Sequence, residues 1–145
     1  MKIRQTLAVV LLLTMEICGA QSEDIPPAPP TASEAEASGL QRVGSPELGE
    51  RYGGARWLVT DKGQIVRLRL HADGSLEYQD DNGGADTGSW LVQPRQGGTL
   101  CRSYSKQMGG RTCVIYFAAR DGVHWFGYGA DDGRWRDTTR SLDDR

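Results

Sequence analysis

After Gly54 the chain never runs longer than a strand without meeting a tight-turn signal. The segments DKG, HADG, DDNGGADT, PRQGG, KQMGG, RDG and ADDG recur to the end, and each sets Gly beside Asp, Asn, Lys, Gln or another Gly. Gly, Asn and Asp accept the positive φ that hairpin turns require. Between the turns lie ARWLVT, QIVRLRL, SLEYQ, GSWLVQ, TLCRSYS, RTCVIYFAA, VHWFGYG and a weaker GRWRDTT, with apolar residues repeating every second position. No stretch after Gly54 offers helical spacing long enough for a crossover, which favours antiparallel over parallel pairing. The pattern predicts an all-β, antiparallel meander of seven or eight strands, closed or nearly closed into a small barrel that hides its edges.

One hairpin fixes a register. Centring LRLHADGSLEY on Asp73 puts Leu70 opposite Leu76, Leu68 opposite Tyr78, and Arg69 opposite Glu77. Apolar pairs then share one face and an opposite-charge pair the other, as a half-buried antiparallel pair demands. The same alternation makes Trp57 with Val59, and Trp90 with Val92, inward-facing. The candidate core-lining or ligand-lining set is therefore Trp57, Leu68, Tyr78 and Trp90. Ahead of the strands, SPELGERYGG predicts a short helix, with Ser45 as cap, Pro46 in the first turn and Gly53-Gly54 as the stop.

The chain begins differently. Lys2 and Arg4 precede the apolar run Leu7 to Leu13, and small residues follow at Gly19 and Ala20. This is the layout of a secretory signal peptide over residues 1–20, cleaved after Ala20. The run is far shorter than the roughly 20 residues of a membrane-spanning helix. Cys18 as a lipidated residue is the weaker reading, because Met15, Glu16 and Ile17 are not the small residues that lipid attachment asks for. Residues 21–44, with Pro26, Pro27, Pro29 and Pro30 followed by Ser, Ala and Glu, read as a disordered linker. Residues 45–145 then form a single domain of ordinary size. Export implies the periplasm, without a transmembrane segment.

Export also decides the cysteines. Cys101 and Cys113 flank RSYSKQMGGRT on consecutive strands, and a turn centred on Gln107 sets them face to face. In an oxidising compartment such a pair forms a cross-strand disulfide. A redox pair would need Cys-x-x-Cys, and zinc would need more ligands than His71 and His124 can add.

Other chemistry is sparse. The formal net charge is −2, which argues against nucleic acid as a partner and leaves no polybasic patch for anionic lipid. His71 and His124 read as surface or rim histidines. The oxygens of Asp80, Asp81, Asn82 and Asp86 lack the order of a calcium loop. Ser89, Ser103 and Ser105 have no G-x-S-x-G around them, and Asp121, Asp131 and Asp132 sit in turns. No catalytic residue, metal site or cofactor motif is indicated. Arg134, Trp135, Arg136 and Arg140 form a candidate partner-binding edge, set against a plain last strand with Trp135 inward and the arginines outward.

Together GSWLV, GTLCRSY and the second Cys resemble a group of small exported bacterial domains of unknown function. In these a short helix and a Gly-aromatic step, here SPELGERYGGARW, lead into the first strand. Asp73-Gly74 and Thr87-Gly88-Ser89-Trp90 match that group's Asp-Gly turn and Thr-Gly-x-Trp strand, over Ser45 to Tyr128. The resemblance implies a periplasmic β-barrel with one disulfide, and its plan is similar to lipocalin-like barrels and small inhibitor barrels. Three functions follow as expectations: a non-catalytic binding or interaction module, a monomer meeting an unidentified protein of the cell envelope; a lipocalin-like binder of a small apolar ligand; or an inhibitor of a secreted hydrolase that uses the proline-rich arm.

Overall fold

A computed structural model describes residues 24–106 and 110–143. The signal-peptide reading over 1–20, Cys18 and the hairpin tip at Gln107 lie outside the described residues. Helix α1 (Ala32–Ala37) and strand β1 (Gln41–Arg42) come first, then helix α2 (Ser45–Arg51). Eight strands follow: β2 (Gly54–Thr60), β3 (Ile65–Leu70), β4 (Ser75–Asp80), β5 (Ala85–Gln93), β6 (Thr99–Tyr104), β7 (Gly110–Ala118), β8 (Trp125–Gly129) and β9 (Trp135–Ser141). Each pairs antiparallel with the next, and β9 returns to β2, so β2–β9 close into a barrel. The two-residue β1 runs beside the far end of β7, beyond the point where β6 stops.

The register of β3 and β4 is the one the sequence imposes: Leu70 faces Leu76, Leu68 faces Tyr78, and Arg69 faces Glu77. Cys101 faces Cys113 across β6 and β7 and is bonded to it, with a Cα–Cα distance of 4.1 Å. The bridge closes a short loop, for which chain entropy gives roughly 3 kcal/mol at most. Mass spectrometry of the folded chain under non-reducing conditions is expected to find Cys101 and Cys113 inaccessible to alkylation. Two alkylated cysteines in this hairpin would overturn the bond.

Two apolar layers result. The barrel interior holds Leu58, Val66, Leu68, Leu70, Leu76, Leu100 and Val114 with Tyr52, Tyr78, Tyr116 and Trp125. Helix α2 lies across one end and drives Leu48 and Tyr52 into it, both with no exposed surface. Its cap is Gly44 rather than Ser45, and Gly44 makes no side-chain cap bond. Outside the barrel, Ile115, Phe117, Phe126 and Tyr128 form a second layer under α1 and the segment before it, with Trp135 packed alongside.

From residue 24 onward, that second layer corrects the reading of residues 21–44 as a disordered linker. Thr31 and Glu34 form a capping box that starts α1, the reciprocal pair that stabilises a helix N-terminus. Ala35 is wholly buried, and Ala28 and Ala32 pack on the same layer. The proline arm is tied to the barrel by its carbonyls: Tyr128 Oη donates to Pro29 O at 2.9 Å, and Trp135 N to Pro30 O at 3.0 Å. Prolines lack N–H groups, so an extended proline arm can dock without leaving donors unsatisfied there. Small alanines gave little hydrophobic signal, yet they let the helix lie close against the aromatics.

A second correction concerns β2. Arg56 and Leu58 face inward and are buried, while Trp57 and Val59 are half-buried on the outer side. Arg56 earns an interior place through its neighbours. Its Nε donates to Thr139 Oγ1 at 3.1 Å and its Nη1 to Arg51 O at 3.0 Å, and the guanidinium lies over the rings of Tyr52 and Trp125 at 4.5 and 5.0 Å. Such stacking favours arginine over lysine in a partly dry site. Trp57 instead lies under Arg140, 5.5 Å from its ring centre, and meets His124 edge-on.

Candidate functional site

At the end of the barrel away from α2, strands β2 and β9 meet the mouth at Thr60 and Arg136, β3 at Val66, β4 at Tyr78, and β6 and β7 at Tyr104 and Thr112. These residues line a cavity of about 310 Å³. Leu58, Val66, Tyr78 and Tyr104 make the walls, and Asp61, Lys62 and Gln64 of the β2–β3 turn stand at the mouth. Tyr78 and Tyr104 meet edge to face with ring centres 5.4 Å apart, a favourable aromatic geometry. One end of the barrel is thus plugged and the other is a cup.

The floor of the cup is charged. Arg102 on β6 points inward and donates from Nη2 to Asp137 Oδ2 at 3.0 Å; the side chains are only 6% and 3% exposed. Arg102 Nη1 donates to Tyr52 Oη at 3.1 Å. Tyr116 Oη donates to Asp137 Oδ1 at 3.1 Å, and the hydroxyls of Tyr52 and Tyr116 lie 3.1 Å apart. Gly127 makes room for this network: a Cβ there would come within 2.7 Å of Asp137 Oδ1 and 2.8 Å of Tyr116. Burial opposes the charge on Arg102, but the surrounding oxygens of Tyr104, Tyr52, Tyr116 and Asp137 outweigh it and hold its pKa above the ordinary value. A buried pair of this kind needs its remaining donors and acceptors satisfied, and the tyrosines satisfy most of them.

Two hydroxyls of the cup differ. Neither Tyr104 Oη nor Thr112 Oγ1 makes a hydrogen bond to any of the described residues, although both residues line the cavity. Burial raises the Tyr104 pKa, partly offset by Arg102, and its hydroxyl can donate or accept.

Comparison with protein-family models, curated proteins and solved structures returns no match. The site must be read from its own chemistry.

The residues singled out in the sequence are dispersed. Leu68 and Tyr78 are in the interior. Trp57 is not, for the reason given above. Trp90 is half-buried at the α2 end, where its ring packs near Tyr52 and its Nε1 donates to His71 O at 2.9 Å; it covers the rim beside α2 rather than lying deep in the barrel. The four residues of the candidate edge do not form one surface. Trp135 packs on the outer layer under the arm, because β9 bulges at Arg136 and reverses the alternation between Trp135 and Asp137. Arg136 donates to Asp132, Arg140 covers Trp57, and Arg134 is exposed. His71 is exposed and bonded to Glu77, whereas His124 is buried rather than at a rim, with Nδ1 2.6 Å from Asp121 Oδ2. Asp80 organises its own turn, accepting from Asn82 N, Gly84 N and Tyr78 Oη.

Sequence reasoning missed Arg102, Tyr104, Thr112 and Asp137. For Arg102 and Tyr104 the signal was present in the alternation itself: both share a face with Leu100, and Cys101 faces outward.

The tyrosines supply a pH prediction. Burial, with help from Asp80, pushes Tyr78 up to about 12, and burial does the same for Tyr128; Tyr104 and Tyr116 are also raised. An unfolded tyrosine titrates near 10. These raised values therefore contribute stability that is present below about pH 10 and is lost as the pH climbs towards about 12. Phenolate absorbance from these four residues is expected to rise together with loss of the far-ultraviolet signal. Their independent ionisation near pH 10 in a folded chain would contradict the burial.

Proposed function

We propose that the chain is an exported, non-catalytic binding module whose ligand site is the cup at the open end of the barrel. One observation carries this reading. The barrel is sealed at the α2 end by Leu48 and Tyr52, while its other end opens into about 310 Å³ of space bordered by hydroxyls that have no partner among the described residues. Small-molecule sites are of roughly 300–1,000 Å³ and combine apolar walls with a few placed polar groups. The basic and apolar segments at the start of the chain support export, and the Cys101–Cys113 bond is consistent with an oxidising compartment.

A purely apolar ligand is the poorer fit. It would press against Arg102 and Asp137 without offering a hydrogen bond, and burying polar groups unpaired is costly. The inhibitor reading has the proline-rich arm reach into an active site, whereas here residues 28–43 are engaged with the barrel itself.

Native mass spectrometry of the chain isolated from the envelope fraction tests the proposal, together with ligand titration followed by nuclear magnetic resonance. Ligand-dependent shifts are expected to cluster at Leu58, Val66, Tyr78, Tyr104 and Thr112. Val66→Phe, which narrows the cup, is expected to abolish them in a chain that still folds. Shifts confined to the outer face of the barrel would defeat the proposal.

A further inference from the structure

We propose that the ligand taken by this cup is a small aromatic carboxylate, seated with its acid group inward. This rests on the cup being the ligand site and adds which chemistry it selects.

The cup-lining polar groups that lack partners among the described residues are Arg102 Nε, which is buried, and the hydroxyls of Tyr104 and Thr112. Arg102 Nε can only donate, and the two hydroxyls can donate or accept. Both oxygens of Asp137 already accept, Oδ2 from Arg102 and Oδ1 from Tyr116. A ligand that enters head-first satisfies the floor best by bringing an acceptor, since a buried donor left unmade is costly. An ammonium group would find no free carboxylate at the floor and would face the Arg102 guanidinium. At the upper wall Arg136 is paired with Asp132, which stands outside the cavity lining, and Lys62 and Asp61 both line the mouth.

The charge available is small, and that separates carboxylate from phosphate. Arg102 is already neutralised by Asp137 at 3.0 Å, so the floor does not present the cluster of free cations a dianion needs. A monoanion held by neutral hydroxyls beside a polarised guanidinium is the better match. The walls select the body of the ligand. Tyr78 and Tyr104 stand edge to face at 75°, and with Leu58 and Val66 they leave a ring-sized apolar space, where a further aromatic ring gains offset or edge contacts.

The test uses the disulfide-intact folded chain and three probes of one shape: naphthylacetate, naphthylacetamide and naphthylethylammonium. Calorimetry gives affinities and chemical-shift mapping gives the site. Naphthylacetate is expected to bind roughly 10-fold more tightly than the amide and about 100-fold more tightly than the ammonium, the scale of charge-assisted hydrogen bonds. Tyr104→Phe removes only a hydroxyl without a partner among the described residues, so the fold should persist. It is expected to weaken naphthylacetate about 10-fold and to shrink its advantage over the amide. If the ammonium probe binds at the cup as tightly as naphthylacetate, the cup remains a ligand site but the carboxylate assignment is wrong. If Tyr104→Phe leaves the preference unchanged, the assignment also fails. If none of the probes perturbs the cup residues, the ligand-site reading falls with it.

Discussion

Asp137→Ala is expected to destabilise the barrel by about 3–5 kcal/mol, the cost of leaving a buried charge without its partner. The carboxylate is 3% exposed and accepts from both Arg102 and Tyr116. Its removal leaves the Arg102 guanidinium, 6% exposed at the floor of the cup, among Tyr52, Tyr104 and Tyr116 with no counter-charge. Against a total stability of about 5–15 kcal/mol, the loss is severe. Urea unfolding followed by circular dichroism measures it. The paired change is as informative as the single one. Arg102→Met with Asp137→Leu is expected to recover most of the loss, since apolar residues of similar volume often replace a buried pair without penalty. An Asp137→Ala chain as stable as the parent would mean that the pair is solvated.

Deleting residues 24–43 is expected to cost on the order of 4 kcal/mol, because it uncovers an aromatic layer at roughly 25 cal/mol per Å². Phe117, Phe126 and Tyr128 are at most 4% exposed under the arm, and Trp135 packs against them. Their release should lower the thermal midpoint by many degrees and induce binding of a hydrophobic dye. The point variant Ala35→Arg forces a charge into a fully buried position of α1 and is expected to act in the same direction without shortening the chain. An unchanged midpoint in both variants would return the arm to the status of a tether.

The strand plan was legible because turn chemistry and a period of two constrain each other. At Asp73-Gly74 they admit one register, and the same logic put Cys101 opposite Cys113. The failures have a common cause. Alternation identifies the two faces of a strand, but the choice of inner face rests on which residues are apolar. In β2 that choice fails, because Arg56 has oxygens and rings waiting inside while Trp57 has Arg140 and His124 outside. In β9 the bulge at Arg136 moves Trp135 and Asp137 to opposite faces, although two apart they would ordinarily share one. The floor of the cup was hidden for the same reason, since Arg102 and Asp137 carry the opposite of a core signature. The arm was readable in principle from Thr31-x-x-Glu34, the one local signal that outweighed its composition.

The closure of the barrel also imposes an order in time. Strand β2 finds its second neighbour only in β9, with Leu58 beside Thr139 and Trp57 beside Arg140. The arm, made earlier still, docks on Gly133 and Trp135. The first segments therefore wait for the last, and no partial chain emerging from a ribosome can complete either ring or cover. Contacts so distant in sequence are reached slowly, and until then the growing polypeptide has neither a closed ring nor a covered aromatic layer.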